Sequence, residues 1–566
     1  MAKSHPMSTL ATSDEAREQT DKYGQSSFVK QMEIVSEKPP TNEHKDLEKS
    51  LGSPDNEVIR TEISYRKLLA LFTGLALTFF LGAIDDTIIA TSLSHIASDF
   101  NALDSISWVG TSYLLSMTIL HPLYGKLATL FGRKRVLMGA ICIFIVGTVL
   151  CGVSQNMPML IISRAITGIG GGGTYSLSFI IISDTFPIRD RGKYMAILAG
   201  VFALASISGP LVGGSLSDHL VWRWAFYIKL PLAAIALLVV AYCLDADHTP
   251  GSILGKLKRV DWIGAMLLAA SVVCILIPTN WGGSKHPWTS PTIISLYVVG
   301  VVLLSGFMVY EHRFAAEPIM PFRFFKIRNT CICFLGDIVF GAVYFGGVFY
   351  IPLLFQAVHG DSATASGIKL LPALLWNFAA SVAAGWIVSL TGKVRPWIIL
   401  GASILVAGTV LITTLGPNSS RGQEIGYLSI YGVGCGLCFG LYIIGIQASV
   451  NEEDQPVITG IHAFAQNIGG AIALPIQNTI MNIVLAKNLQ DKVPALGITS
   501  IDPTDVGRVD PQFHQQVVEA YTGALQYALI PLCALAGCTF LASLFLKPVI
   551  LSDRSKKSAP ETISNE

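Results

Sequence analysis

From residue 65 to residue 548 the chain consists of long apolar runs broken by short polar stretches, with no sustained alternation of polar and apolar positions. Crossing about 30 Å of hydrocarbon takes about 20 helical residues. Runs of that length lie at about 68–91, 106–128, 135–153, 158–182, 194–216, 224–245, 261–281, 292–311, 330–354, 366–390, 397–415, 424–448, 457–484 and 522–546. The pattern therefore predicts fourteen transmembrane helices. Residues 1–64, rich in Ser, Thr, Glu and Lys, are too poor in apolar side chains to bury a core and predict a disordered cytosolic tail. No signal peptide precedes the first run, and a second polar tail covers 549–566.

Charge orients this array. Arg133-Lys134-Arg135, Arg189 with Arg191 and Lys193, Lys256 with Lys258 and Arg259, Arg323 with Lys326 and Arg328, and Lys393 with Arg395 all fall on one side if the spans alternate. Positive residues mark the cytosolic side, so both termini are expected there. The sequon Asn418-Ser419-Ser420 then falls outside, as a glycosylation acceptor must.

The chain is 51% hydrophobic and 14% charged, with a formal net charge of +1. That balance starves a soluble surface of charge and offers no bulk field for nucleic acid. All ten cysteines sit in apolar stretches, so neither a disulfide framework nor a metal site is expected. Cys435 and Cys438 are spaced CxxC within GVGCGLCFG, which reads as helix packing. Gly168–Gly173 matches GxGxxG but follows no strand, and no GxxxxGK[ST] is present, so no nucleotide cofactor and no ATP are expected. No nucleophile, base and metal constellation suggests an enzyme.

Glycines also repeat at an offset of about 260 residues, Gly125 and Gly132 with Gly385 and Gly392, Gly200 and Gly209 with Gly460 and Gly469. The pairs fall in the second and fifth helix of each half. This predicts an N-terminal six-helix bundle at 65–245, a linker with two extra helices at 246–328, and a C-terminal bundle at 329–548, a plan suited to alternating access around a midplane cavity.

Several strings carry chemistry. GVFALASISGPLVGG at 200–214 places Gly200, Gly209, Pro210, Gly213 and Gly214 inside a span, where glycines admit a neighbouring backbone and proline bends the helix. GKLATLFGRKRVL at 125–137 joins the second and third spans. Arg164, in LIISRAITGIGGGG, costs about 2.5–3.5 kcal/mol at such depth, and Asp85 and Asp86, in GAIDDTIIATSL, lie at a similar depth. Adjacent carboxylates diverge by about 100° on a helix, so one can face Arg164. A carboxylate there has its affinity for protons set by opposing desolvation and charge, as a reversible proton carrier needs.

These strings resemble the fourteen-helix drug:proton antiporters of the major facilitator superfamily. The first is similar to their antiporter motif, and the second to their cytosolic GxLaDrxGrkxxl motif, with Gly125, Gly132, Arg133, Lys134 and Arg135 in place and Thr129 where the acidic residue is usual. Arg164 falls on the arginine of lxxxRxxqGxgaa, and Asp85 on the aspartate of lDxTIvxxaLp. WRWAFYIKLP, with Lys229 for the usual asparagine, and YIPLLFQAVHGDSATASGIKLLP are similar to fungal members. The resemblance covers about 66–548 and implies the superfamily fold, proton coupling through Asp85, Asp86 and Arg164, and a gate at Gly125–Arg135. Polar and aromatic residues in the spans, among them His121, Asp337, Tyr344, Phe345, Phe349, Gln356, Trp376, Asn377, Gln447, Gln466 and Gln477, are candidates to line a cavity, with Gln356 and Gln466 chosen as substrate contacts.

The expected function is proton-driven export of amphipathic organic compounds, toxins, secondary metabolites or drugs, across a fungal plasma membrane, with the vacuolar membrane as the other location. A carrier of small polar metabolites, such as basic amino acids or siderophores, is the alternative. A non-transporting receptor with a carrier fold is a further one.

Overall fold

The computed structural model describes residues 65–89, 107–188, 190–219, 221–245, 251–282, 286–361, 363–494 and 509–549, with isolated positions between them. The predicted tails, apart from a few residues of the second, and Arg189 lie outside these residues. Fourteen long helices follow in order: α1 (Tyr65–Ile88), α2 (Ser107–Phe131), α3 (Arg133–Gly152), α4 (Met157–Thr185), α5 (Arg191–His219), α6 (Lys229–Cys243), α7 (Trp262–Trp281), α8 (Pro291–Arg313), α9 (Arg328–His359), α10 (Ala363–Thr391), α11 (Arg395–Thr413), α12 (Arg421–Gln447), α13 (Gln455–Lys492) and α14 (Pro511–Leu544). Among the described residues, thirteen helices are long and apolar enough to cross a membrane, α6 together with the short turn Trp224–Tyr227 before it. The remaining one is α2, 25 residues long but richer in polar side chains. Its surroundings account for this, because α2 packs between α4 and α13 and need not face lipid with its Ser, Thr and His residues.

Local chemistry sets the helix ends. Asn156 accepts a hydrogen bond from the Met159 amide at 2.9 Å and starts α4, and Asp261 accepts one from Gly264 at 2.8 Å and starts α7. Ser420 and Gln423 form a reciprocal capping box on α12. Helices α13 and α14 run past the apolar windows at 457–484 and 522–546, because polar ends such as Asn488–Lys492 and Gln512–Gln516 continue a helix once outside hydrocarbon. Pro122, Pro278, Pro352, Pro372, Pro475 and Pro531 lie inside helices. Neighbouring helices accommodate the missing amides.

Burial separates centre from rim. In α4 and α12, 83% of the most apolar window is buried, against 17% in α8. The pair α7 and α8 pack on each other and touch the rest through α2 and α13.

The repeated glycines sit at equivalent contacts. Gly132 (φ 89°) and Gly392 (φ 67°) make left-handed turns after α2 and α10, a conformation in which a side chain would be strained. Gly125 of α2 lies against the backbone of Pro456 on α13. Gly385 of α10 lies against the backbone of Gly192 on α5. A Cβ on Gly125 would come within 2.5 Å of the Pro456 carbonyl oxygen, so the molecule is closed at this end, the one carrying the basic loops. Ser389 of α10 donates to Asp190 at 2.9 Å, and Arg191 donates to Gln447 of α12 at 3.1 Å, extending the closure.

Candidate functional site: a buried charge cluster and an apolar cavity

Asp85, near the end of α1, is fully buried. One carboxylate oxygen accepts from Arg164 Nη1 of α4 and the other from Lys229 Nζ, the first residue of α6. Arg164 is fixed further. Its Nε–H donates to the Val109 carbonyl of α2 at 2.9 Å, and its guanidinium lies over the Tyr113 ring at 4.3 Å. Tyr113 in turn donates to the Gly82 carbonyl at 3.2 Å, returning the network to α1. The Lys229 ammonium faces Phe226 at 4.9 Å and Phe144 at 6.0 Å. Two cations and one carboxylate thus meet in an aromatic, water-poor pocket in the half away from the basic loops, with each ion hydrogen-bonded to its partner as burial demands.

Lys229 is the member that sequence reading did not select. Its signal was present as a lysine opening an apolar run where the resembling family has asparagine. The side chains of Asp86 and Pro210, and Gly214, lie outside what the structure describes. Gly209 packs on Thr87 of α1, and Gly200 packs on the Phe378 ring of α10, so the two ends of that motif face different neighbours. Gly213 is buried in α5.

At the other end of the molecule Thr129 is exposed, and its hydroxyl donates only to the Gly125 carbonyl of its own helix, at 3.1 Å. Acidic contacts to this loop come from elsewhere. Arg133 binds Asp184 at the end of α4 at 2.8 Å, and Lys134 donates to the Ala241 carbonyl of α6 at 2.6 Å. Lys126 binds Glu317 at 2.8 Å, and Glu317 also accepts from Arg259 at 2.5 Å, both partners reaching it at the foot of the α7–α8 pair. Burial raises the Glu317 pKa, but hydrogen bonds from Arg259 and Lys126 outweigh it and hold the carboxyl below its usual range.

A cavity of about 390 Å³ opens in the half away from the basic loops, between α2, α7, α9 and α13. Leu114, Leu115, Leu276, Phe349 and Leu474 make most of its wall apolar, while Asn280, Asn478 and Thr111 offer polar groups. Phe349, half exposed, belongs to it. Gln356 and Gln466 do not. Gln356 donates to Ser366 of α10 at 3.0 Å, and Gln466 is buried against Asp337. Gln447 is also buried, holding Arg191 and Thr459. Asn418 is exposed in the turn between α11 and α12.

The family model described as Major Facilitator Superfamily matches residues 75–474. The chain belongs to this superfamily. It is 35% identical over 502 residues to the MFS-type efflux pump MFS1 of Arthroderma benhamiae, covering 87% of this chain and 93% of that protein. It is 32% identical to the aspyridones efflux protein of Neocamarosporium betae, with 86% and 89% covered. With the efflux pump aflT of Aspergillus parasiticus it shares 31% identity, with 84% and 95% covered. Among solved structures, the human organic anion transporter MFSD10 superposes with a TM-score of 0.54 at 16% identity, covering 84% of this chain and 99% of that one. The proton:xylose symporter XylE gives 0.53 at 15%, with 85% and 95% covered. These likenesses confirm the fold. The chain is accordingly a multi-pass membrane transporter.

Proposed function

We propose that this protein is a proton-coupled exporter of amphipathic organic compounds, of the kind that fungal relatives named for efflux handle, working at the plasma membrane with both termini in the cytosol. The observation that carries the reading is the buried Asp85, held between Arg164 and Lys229 on three different helices. A carboxylate that swaps a cation partner for a proton changes what holds α1, α4 and α6 together, which couples protonation to helix movement. A cavity in the same half of the molecule, apolar with a few polar groups, suits amphipathic cargo. With the basic loops cytosolic, the closed end faces the cytosol and the cavity lies in the outer half. About 100 mV and one pH unit give one proton roughly 2.3 plus 1.4 kcal/mol, sufficient for about a 500-fold gradient of neutral cargo.

The test uses the full chain in liposomes with an imposed pH gradient and rhodamine 6G as probe. Gradient-driven dye movement that collapses with an uncoupler is expected, and its loss in Asp85→Asn. Dye movement by that variant with unchanged uncoupler sensitivity would move the proton to another residue.

A further inference from the structure

The second half of the chain has its own buried acid–base pair. Asp337 of α9 is fully buried, and its Oδ2 lies 2.8 Å from Nδ1 of His462 on α13. Gln466, one turn further along α13, donates to Oδ1 at 3.5 Å. The backbones of α9 and α13 are pressed together around the pair: Gly341 lies against Gln466, and Gly469 against Ile338. On its other side the same stretch of α13 meets the first half. Gly460 packs on the His121 carbonyl of α2, and Asn467 Nδ2 lies 3.2 Å from His121 Nε2. His121 Nδ1 is 2.6 Å from Ser176 of α4, and His462 stands edge-on to Phe179 of α4 at 6.0 Å. Besides His121, the titratable groups facing the pair are Cys333 on α9 and Cys438 and Tyr442 on α12.

We propose that Asp337 and His462 are a second proton-binding site, and that its occupancy controls the docking of α13 onto α2. The reasoning is one of charge. Carboxylate plus neutral imidazole sums to −1 inside a dry contact between two helices, whereas one added proton makes the pair neutral overall. The closed, buried arrangement is therefore the protonated one. The proton arrives from water when α9 and α13 part, resides on the pair while they are closed, and returns to water on the next opening; no other bond is made or broken. Losing it leaves a buried negative charge that favours re-opening, and α13 carries that movement to His121 through Asn467. The inference rests on the exporter reading, since it adds a proton site to a proton-driven cycle, with an independent readout.

That readout is a pH titration of the full chain in lipid nanodiscs by infrared difference spectroscopy, with histidine isotopically labelled in the ring. The wild type is expected to show a labelled imidazole band and a carboxyl band changing together as the pH is varied, because the two groups share one proton. Asp337→Asn and His462→Gln should each remove the joint change, Asp337→Glu should keep it, and Asp85→Asn should keep it too. In the liposome assay the first two variants should lose pH-gradient-driven movement of rhodamine 6G. Absence of the joint change from the wild type, or its persistence in both Asp337→Asn and His462→Gln, would overturn the proposal. Since the wild-type titration alone can refute it, a variant that fails to fold does not shelter it. A wild type that moves no dye yet shows the titration would sink the exporter reading for this probe and leave the proton site standing.

Discussion

Lys229 changes what a substitution at Asp85 does. With only Arg164 opposite, Asp85→Asn would remove one charge of a pair; with Lys229 also bound to it, the variant leaves two buried cations facing each other. Orphaning a buried charge costs about 3–5 kcal/mol. Asp85→Asn should therefore lose thermal stability as well as coupling, and Asp85→Asn combined with Lys229→Gln should recover most of the stability without recovering pH-driven transport. Differential scanning fluorimetry of the purified variants checks the first effect and the liposome assay the second. A double variant no more stable than the single one would mean that Lys229 contributes nothing to the cost. Cations near an aspartate can be suspected from GAIDDT and LIISRAI, but the lysine 144 positions further along meets Asp85 only through the packing of α6.

The contact of α2 with α13 depends on the absence of a side chain at Gly125. Gly125→Ala should push the two helices apart at the basic-loop end, raising the accessibility of that end to a membrane-impermeant probe while leaving α2 itself helical, since alanine favours helix. Equal labelling of both proteins would show that α13 shifts to make room. Glu317 makes a different contact, tying Lys126 at the end of α2 to Arg259 before α7. Its carboxyl is held below the usual range, so the stabilisation is fully present above the ordinary carboxylate pKa and is lost as pH falls through the lowered one. Glu317→Gln should cost about 0.5–1 kcal/mol near neutral pH and flatten the pH dependence of the melting temperature on the acid side. An unchanged acid limb in that variant would assign the dependence to other carboxylates. The missing acid at Thr129 and this contact from the α7–α8 pair fall on the same helix end, three residues apart.

In the proposed topology, with the amino terminus in the cytosol, fourteen spans put the turn between α11 and α12, where Asn418 is exposed, on the outside. The protein expressed in a fungal host should therefore migrate faster after endoglycosidase treatment, and Asn418→Gln should abolish that shift. A glycan that survives in the variant, or protease cleavage within residues 495–508 from the cytosolic side, would overturn the topology.

Helix number, the glycine repeat and the basic loops were legible in the chain because they rest on local rules: the thickness of hydrocarbon, the need for φ above zero at Gly132 and Gly392, and the pull of one membrane face on positive charge. Asp85 and Arg164 could be singled out because an ion in an apolar run is costly wherever it points. Depth could match Arg164 to one of the two adjacent carboxylates, but the remaining partners were not legible, since a run of letters does not record which face of a helix meets which neighbour. Lys229 read as a departure from a motif, and His462 as one polar residue between the close-approach glycines Gly460 and Gly469; packing brought the first to Asp85 and the second to Asp337. The same packing removed Gln356 and Gln466 from the cavity wall and placed Phe349 in it, because a buried amide goes where a hydrogen-bond partner is within reach, and only the assembled helices determine where that is.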